Sequence, residues 1–149
     1  MTSPVPEMLL ICTGSLKDRH IVALTDRYLS RLHHEARITV REISDSTRQR
    51  EGEQIVRLLK KEGGYSFALT EEGTLWNSRE LAKRLGTIPG KTVFVIGGPE
   101  GLSPSVKSAA SQLLSLSPMT FTHEIARMLL LEQLYRACSI MHNRQYHKD

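Results

Sequence analysis

The chain has only two cysteines in 149 residues, Cys12 and Cys138, far apart and outside any CxxC pattern. That excludes a disulfide framework and a zinc ribbon. Cys12 falls in a buried-strand pattern and Cys138 on the apolar face of a helix pattern, so both read as buried free thiols, as suits a reducing cytoplasm. Six histidines are scattered without HExxH or paired-ligand spacing, so no metal is expected. No apolar run approaches the roughly 20 residues of a membrane-spanning helix, and no membrane association is expected. Residues 1–7 lack the basic start and apolar stretch of a secretory signal and read as a loose leader before the first strand. A GxxxxGK[ST] loop and a GxGxxG fingerprint are both missing, which removes the usual signatures of nucleotide phosphate binding.

What is present fits one globular domain over residues 1–149. Hydrophobic residues at 40% and charged residues at 24% suffice for a core without staples. The formal net charge of +4 leans weakly towards a polyanionic partner. Apolar strand runs alternate with helical periodicity along the whole chain. Strands are predicted over 8–13, 37–43, 65–70, 92–96 and 113–117. Helices are predicted over 18–34, 47–62, from Asn77 or Ser78 to Gly86, from Ser103-Pro104, and over 124–142. Such alternation implies a mostly parallel sheet with helices on both faces. The last helix carries apolar residues over more than the stripe a surface helix needs, so it is either wholly buried or covered by a second chain.

The most informative stretch is Ile96-Gly97-Gly98-Pro99-Glu100-Gly101-Leu102-Ser103. It follows the most continuous strand run, at the carboxyl end where open α/β sheets bind ligands. Its glycines allow backbone to approach a ligand, but a plain strand-to-helix turn reads equally well from the residues alone. Ser117-Pro118-Met119-Thr120-Phe121-Thr122 mixes apolar walls with polar groups, as an adenine pocket does. The tail 142–149 is basic and aromatic: Tyr146 can stack on an unpaired base, and Arg144 and Lys148 can meet phosphate. Lys17, Arg19, Arg48, Arg50, Arg57, Lys60 and Lys61 read as an RNA-facing surface or as solvated helix faces. Glu132 and Arg136, four apart on one helix, read as a structural ion pair, and His123 as a capping or ligand-lining residue.

Three segments in this order, GGPEGLS, LSLSPMTFTHEIARMLLLEQLYRA and a tail ending NRQYHKD, resemble the SPOUT class of trefoil-knotted methyltransferases. Within that class they resemble the bacterial large-subunit (23S) rRNA pseudouridine-N3 methyltransferases. The likeness is sharpest over residues 93–149. It implies an α/β fold whose C-terminal part forms a trefoil knot. It also implies S-adenosylmethionine (SAM) held by Leu69, by Gly97 and Gly98, and by Ser117, Pro118, Met119, Thr120, Phe121 and Thr122. It further implies a cytoplasmic homodimer joined through the last helix, acting on large-subunit rRNA within the ribosome. In such a dimer the tail of one subunit reaches the cofactor site of the other, which gives Arg144, Tyr146 and His147 the expected catalytic roles. Gln145 stands where that family often has proline. A non-catalytic ribosome-binding module on the same fold is the alternative expectation, and a triphosphate-binding protein a third.

Overall fold

The computed structural model describes residues 5–149. Ten elements alternate without exception: β1 (Glu7–Thr13), α1 (Arg19–Leu32), β2 (Arg37–Ile43), α2 (Arg48–Glu62), β3 (Tyr65–Leu75), α3 (Ser78–Thr87), β4 (Lys91–Ile96), α4 (Pro104–Ala109), β5 (Gln112–Ser115) and α5 (His123–Met141). The five strands form one sheet in the order β2-β1-β4-β3-β5, and every neighbouring pair is parallel.

Alternate residues of the central strands feed two cores, as the period of two requires. Leu10, Phe67, Phe94 and Leu114 point to one face, where they pack against Leu32 of α1, Leu81 and Leu85 of α3, and Leu130, Leu131 and Leu134 of α5. Phe67 and Phe94 stack there with ring centroids 5.2 Å apart. Leu9, Ile11, Val93 and Val95 point to the other face, against Ile55 and Leu59 of α2 and Val106 of α4. Helices therefore cover both faces. Each fully buried Leu or Phe contributes about 1.5–3 kcal/mol relative to exposure, so these two layers hold the sheet together.

Helix starts follow from local chemistry. Asp18, Thr47, Asn77, Ser103 and Thr122 occupy extended N-cap positions, and each side chain accepts an otherwise unmet backbone N–H of the first turn. At the far end of α5 the chain reverses through Asn143 in a left-handed conformation, φ 56. The Asn143 N–H donates to the Ile140 carbonyl at 3.1 Å and the Arg144 N–H to the Ser139 carbonyl at 2.8 Å. This is a Schellman turn with asparagine in the usual glycine position.

Several boundaries depart from the pattern in the sequence. Of the leader expected over residues 1–7, residues 1–4 lie outside the described residues, and Glu7 already pairs with Arg37 and Lys91. β3 runs on to Leu75 rather than stopping at Thr70. Its register against β5 shifts between Leu69 and Thr74, and Gly73 lies so close to β5 that a Cβ there would stand 2.6 Å from the Leu114 nitrogen. β5 ends at Ser115 rather than residue 117, because the Ser115 hydroxyl donates to the Ser117 carbonyl at 2.9 Å and turns the chain.

Candidate functional site

The carboxyl ends of β3, β4 and β5 open onto a cleft of about 380 Å³, within the range of small-ligand pockets. Leu69 and Thr70 of β3 form one wall and the loop 97–101 a second. Residues 116–121 form a third, and His123 and Ala126 of α5 close the base. The glycine loop folds back on itself, with the Gly101 N–H donating to the Gly98 carbonyl at 2.9 Å. A Cβ at Gly97 would lie 2.9 Å from the Gly101 carbonyl carbon and from Leu102 Cδ2, so any larger residue would force this loop open. Across the cleft the Ser117 hydroxyl accepts the Met119 N–H at 3.0 Å and fixes the third wall.

Seven of the nine residues expected to hold the cofactor line this cleft: Leu69, Gly97, Gly98, Ser117, Met119, Thr120 and Phe121. Pro118 and Thr122 do not line it, and Thr122 instead caps α5 through the Ile125 N–H. Met119 and Phe121 remain 74% and 38% exposed, apolar surface standing free at the mouth. Glu71 and Lys107, not singled out in the sequence, also reach the cleft, as does Arg48, read there only as part of a basic surface. Lys107 pairs with Glu72 across its rim and holds that carboxyl below its usual range, chiefly by the hydrogen bond. No sequence pattern groups these three, because they come from separate elements and meet only in the fold. His123 lines the cleft and does not cap α5.

The base of the cleft is tied to the loop after β1. Glu124 accepts the Lys17 N–H at 2.7 Å and the Asp18 N–H at 3.2 Å, and these two bonds lower its pKa. Arg127, buried one turn along α5, donates to Glu42 of β2 at 2.7 Å. Thiol chemistry plays no part, since both cysteines are buried. Burial pushes Cys12 up to about 11 and Cys138 up to about 12.

The three residues expected to be catalytic are elsewhere in the chain's own fold. α5 has 19 residues, so its cleft end and its tail end are separated by about 28 Å at 1.5 Å per residue. Arg144 forms an ion pair with Glu35, Nε 2.9 Å from Oε1. Tyr146 donates its hydroxyl to Glu132 at 3.0 Å, packs edge-on against Tyr135 and lies beneath the Arg136 guanidinium. Glu132 and Arg136 form the ion pair expected from their spacing, at 2.9 Å. His147 receives Arg136 Nη1 at Nδ1, 3.1 Å away, and its Nε2 lies 2.9 Å from Asp149. That pairing puts the imidazole proton on Nε2. Asp149 is held in turn by both guanidinium nitrogens that Arg79 offers, each at 2.8 Å, and its pKa is lowered to about 2, first by Arg79 and then by His147. Within this chain, therefore, the tail is docked on its own helix and does not line the cleft.

The family model described as "Predicted SPOUT methyltransferase" matches residues 7–147. The chain belongs to the SPOUT methyltransferase family. A "Ribosomal RNA large subunit methyltransferase H" from Prochlorococcus marinus (strain NATL2A) is 42% identical over 141 residues, covering 94% of each chain. Solved structures of the family share the fold at low identity. A probable methylase family protein from Haemophilus influenzae Rd KW20 superposes with a TM-score of 0.63 at 14% identity, over 98% of this chain and 72% of its own. The SpoU methyltransferase AviRb from Streptomyces viridochromogenes, solved in complex with AdoMet, gives 0.51 at 13% identity, over 97% and 61%. No helix among the described residues is long and apolar enough to cross a membrane.

Proposed function

We propose that this protein is a SAM-dependent methyltransferase acting on N3 of a pseudouridine in large-subunit ribosomal RNA, as a cytoplasmic homodimer working on the assembled ribosome. The observation that carries the reading is the convergence of three separate loops, after β3, β4 and β5, on one cleft. These are the segments the SAM-binding family uses in this order. The fit to the cofactor is chemical as well as positional. Leu69, Ile96 and Phe121 offer flat apolar walls, and backbone groups of the glycine loop and of residues 116–120 offer edge hydrogen bonds, as an adenosine group needs. Bound SAM supplies an electrophilic methyl group, so no protein nucleophile is required. The trefoil knot belongs to the same reading.

The chain's own residues then have to position the acceptor base and remove its N3 proton. Alignment of reactants is worth roughly 7–11 kcal/mol, against about 10²–10⁴-fold for a general base, so positioning dominates. The tail does this work from a second subunit, since a helix length separates it from its own cleft. Tyr146 orients the base, Arg144 meets the backbone phosphate, and His147 or a water takes the proton. Both imidazole nitrogens of His147 are engaged in the docked tail, so it must exchange a partner for substrate first. The face of α5 around Ile125, which is 37% exposed, with Met128 and Leu129 beside it half-buried, supplies apolar surface for the second copy.

Calorimetry with SAM and turnover of His147→Ala on ribosomes test this. Saturable SAM binding with loss of methylation in the variant is expected. An absence of SAM heat would mean a ribosome-binding module, and near-normal turnover would remove His147 from the chemistry.

A further inference from the structure

The turn between α1 and β2 carries a carboxylate that the site described above does not use. Glu35 is 8% exposed, and a carboxylate so far removed from water needs partners on both oxygens. Both partners come from the other end of the chain. His142 donates through Nδ1 to Oε2 at 2.7 Å, and Arg144 forms an ion pair with the other oxygen, its Nε 2.9 Å from Oε1. Neither side chain is needed to finish α5, because the backbone N–H groups of Asn143 and Arg144 already meet the final carbonyls. The double contact therefore serves the direction in which the chain leaves the helix.

We infer that Glu35 is a positioning residue for methyl transfer, fixing the root of the catalytic tail at His142 and Arg144 while residues 146–147 move to substrate. This rests on the reading that the tail serves the site. The two ends of the tail differ in what the reaction asks of them. Tyr146 and His147 must give up Glu132, Arg136 or Asp149 before they can touch a base. The contacts to Glu35 need not break, because the ion pair approaches Glu35 through Nε and leaves the two Nη groups of Arg144, on a side chain 59% exposed, for a phosphate. The lever is long: Arg144 to His147 spans roughly 10 Å at about 3.3 Å per residue, so a swing of about 10° at the root moves the imidazole by nearly 2 Å. Misplacement of about 1 Å costs on the order of 100-fold in rate.

The test uses full-length Glu35→Gln and Glu35→Ala, with kcat and KM on ribosomes, SAM affinity by calorimetry, and the thermal midpoint of each. SAM affinity should stay within about twofold, since no cleft wall is touched, while kcat of Glu35→Ala falls roughly 10–100-fold. Glu35→Gln, which keeps one acceptor and the side-chain volume, should fall between, and it carries the test if the alanine variant does not fold. Combined with Arg144→Ala, the loss should be smaller than the product of the two single losses, because the Glu35–Arg144 contact is removed by either substitution. Wild-type kcat in either folded Glu35 variant overturns the inference, whatever its thermal midpoint. A chain ending at Arg144 separates the two levels. If it retains full turnover, the tail reading itself fails; if it is inactive while the Glu35 variants are not, only the role of Glu35 fails.

Discussion

The phenol of Tyr146 is hemmed in by Tyr135, Arg136 and Glu132, and its pKa is raised above the ordinary value near 10. Burial is the first cause, followed by hydrogen bonds to Tyr28 and Glu132. The docked phenol therefore stays protonated, and a released one, with the ordinary tyrosine pKa near 10, stays protonated at neutral pH as well, so Tyr146 acts as a donor and a stacking surface and not as the base. Tyr146→Phe should therefore lower turnover without moving any step of the pH–rate profile. A lost or displaced alkaline limb in that variant would show the phenol to be titrating. The hydroxyl's contribution to stability is that of one hydrogen bond to a charged group, about 1.5–3 kcal/mol, discounted because Arg136 and Gln133 still serve Glu132. The two thiols obey the same logic. With Cys12 near 11, only about one molecule in a thousand carries a thiolate at pH 8. Native protein should resist thiol reagents at that pH until denaturant is added; rapid labelling of the folded chain would place a cysteine at the surface.

Among the elements, β3 and α5 determine the site, and they differ in how openly the sequence announces them. The alternation of strand and helix, the caps at Asn77 and Ser103 and the glycine loop were legible, because each depends on neighbours within a turn or on a period of two or 3.6, whereas the cap at Thr122 was expected to hold cofactor. The extension of β3 to Leu75 was not. Glu71, Glu72 and Gly73 interrupt any strand pattern, and only contact with β5, some forty residues on, makes them one. The docked position of the tail was equally invisible, since Glu35 and His142 are 107 residues apart. Gly73 tests the first of these. An alanine there meets backbone rather than a movable side chain, so Gly73→Ala should destabilise the fold by about 3 kcal/mol, read from denaturant midpoints. An unchanged midpoint would mean that β3 and β5 do not lie as close as described. The turn after α5 gives a milder case: Asn143→Ala should cost about 1–2 kcal/mol of left-handed strain, and Asn143→Gly close to nothing.

At the scale of the whole molecule, a cleft at one end of α5 and the tail proposed to do its chemistry at the other would leave a single chain with two halves of a site. Neither half moves easily to the other, because α5 packs against both α1 and α3 and its 19 residues keep the two ends about 28 Å apart. In the proposed dimer, a second copy joined through the α5 face would bring a tail to each cleft in a symmetric pair. Two inactive variants then become informative together. His147→Ala spoils the tail and leaves the cleft, while Gly97→Leu forces the glycine loop open and leaves the tail. When the two are unfolded and refolded as an equal mixture, about half of the dimers are mixed, and each mixed dimer holds one cleft and one tail that are both sound. Turnover should rise from near zero to roughly a quarter of the wild-type value. A site completed within one subunit predicts no recovery, since every subunit in the mixture carries a defect. Light scattering on each variant controls for loss of association, and SAM calorimetry should show binding to His147→Ala but not to Gly97→Leu.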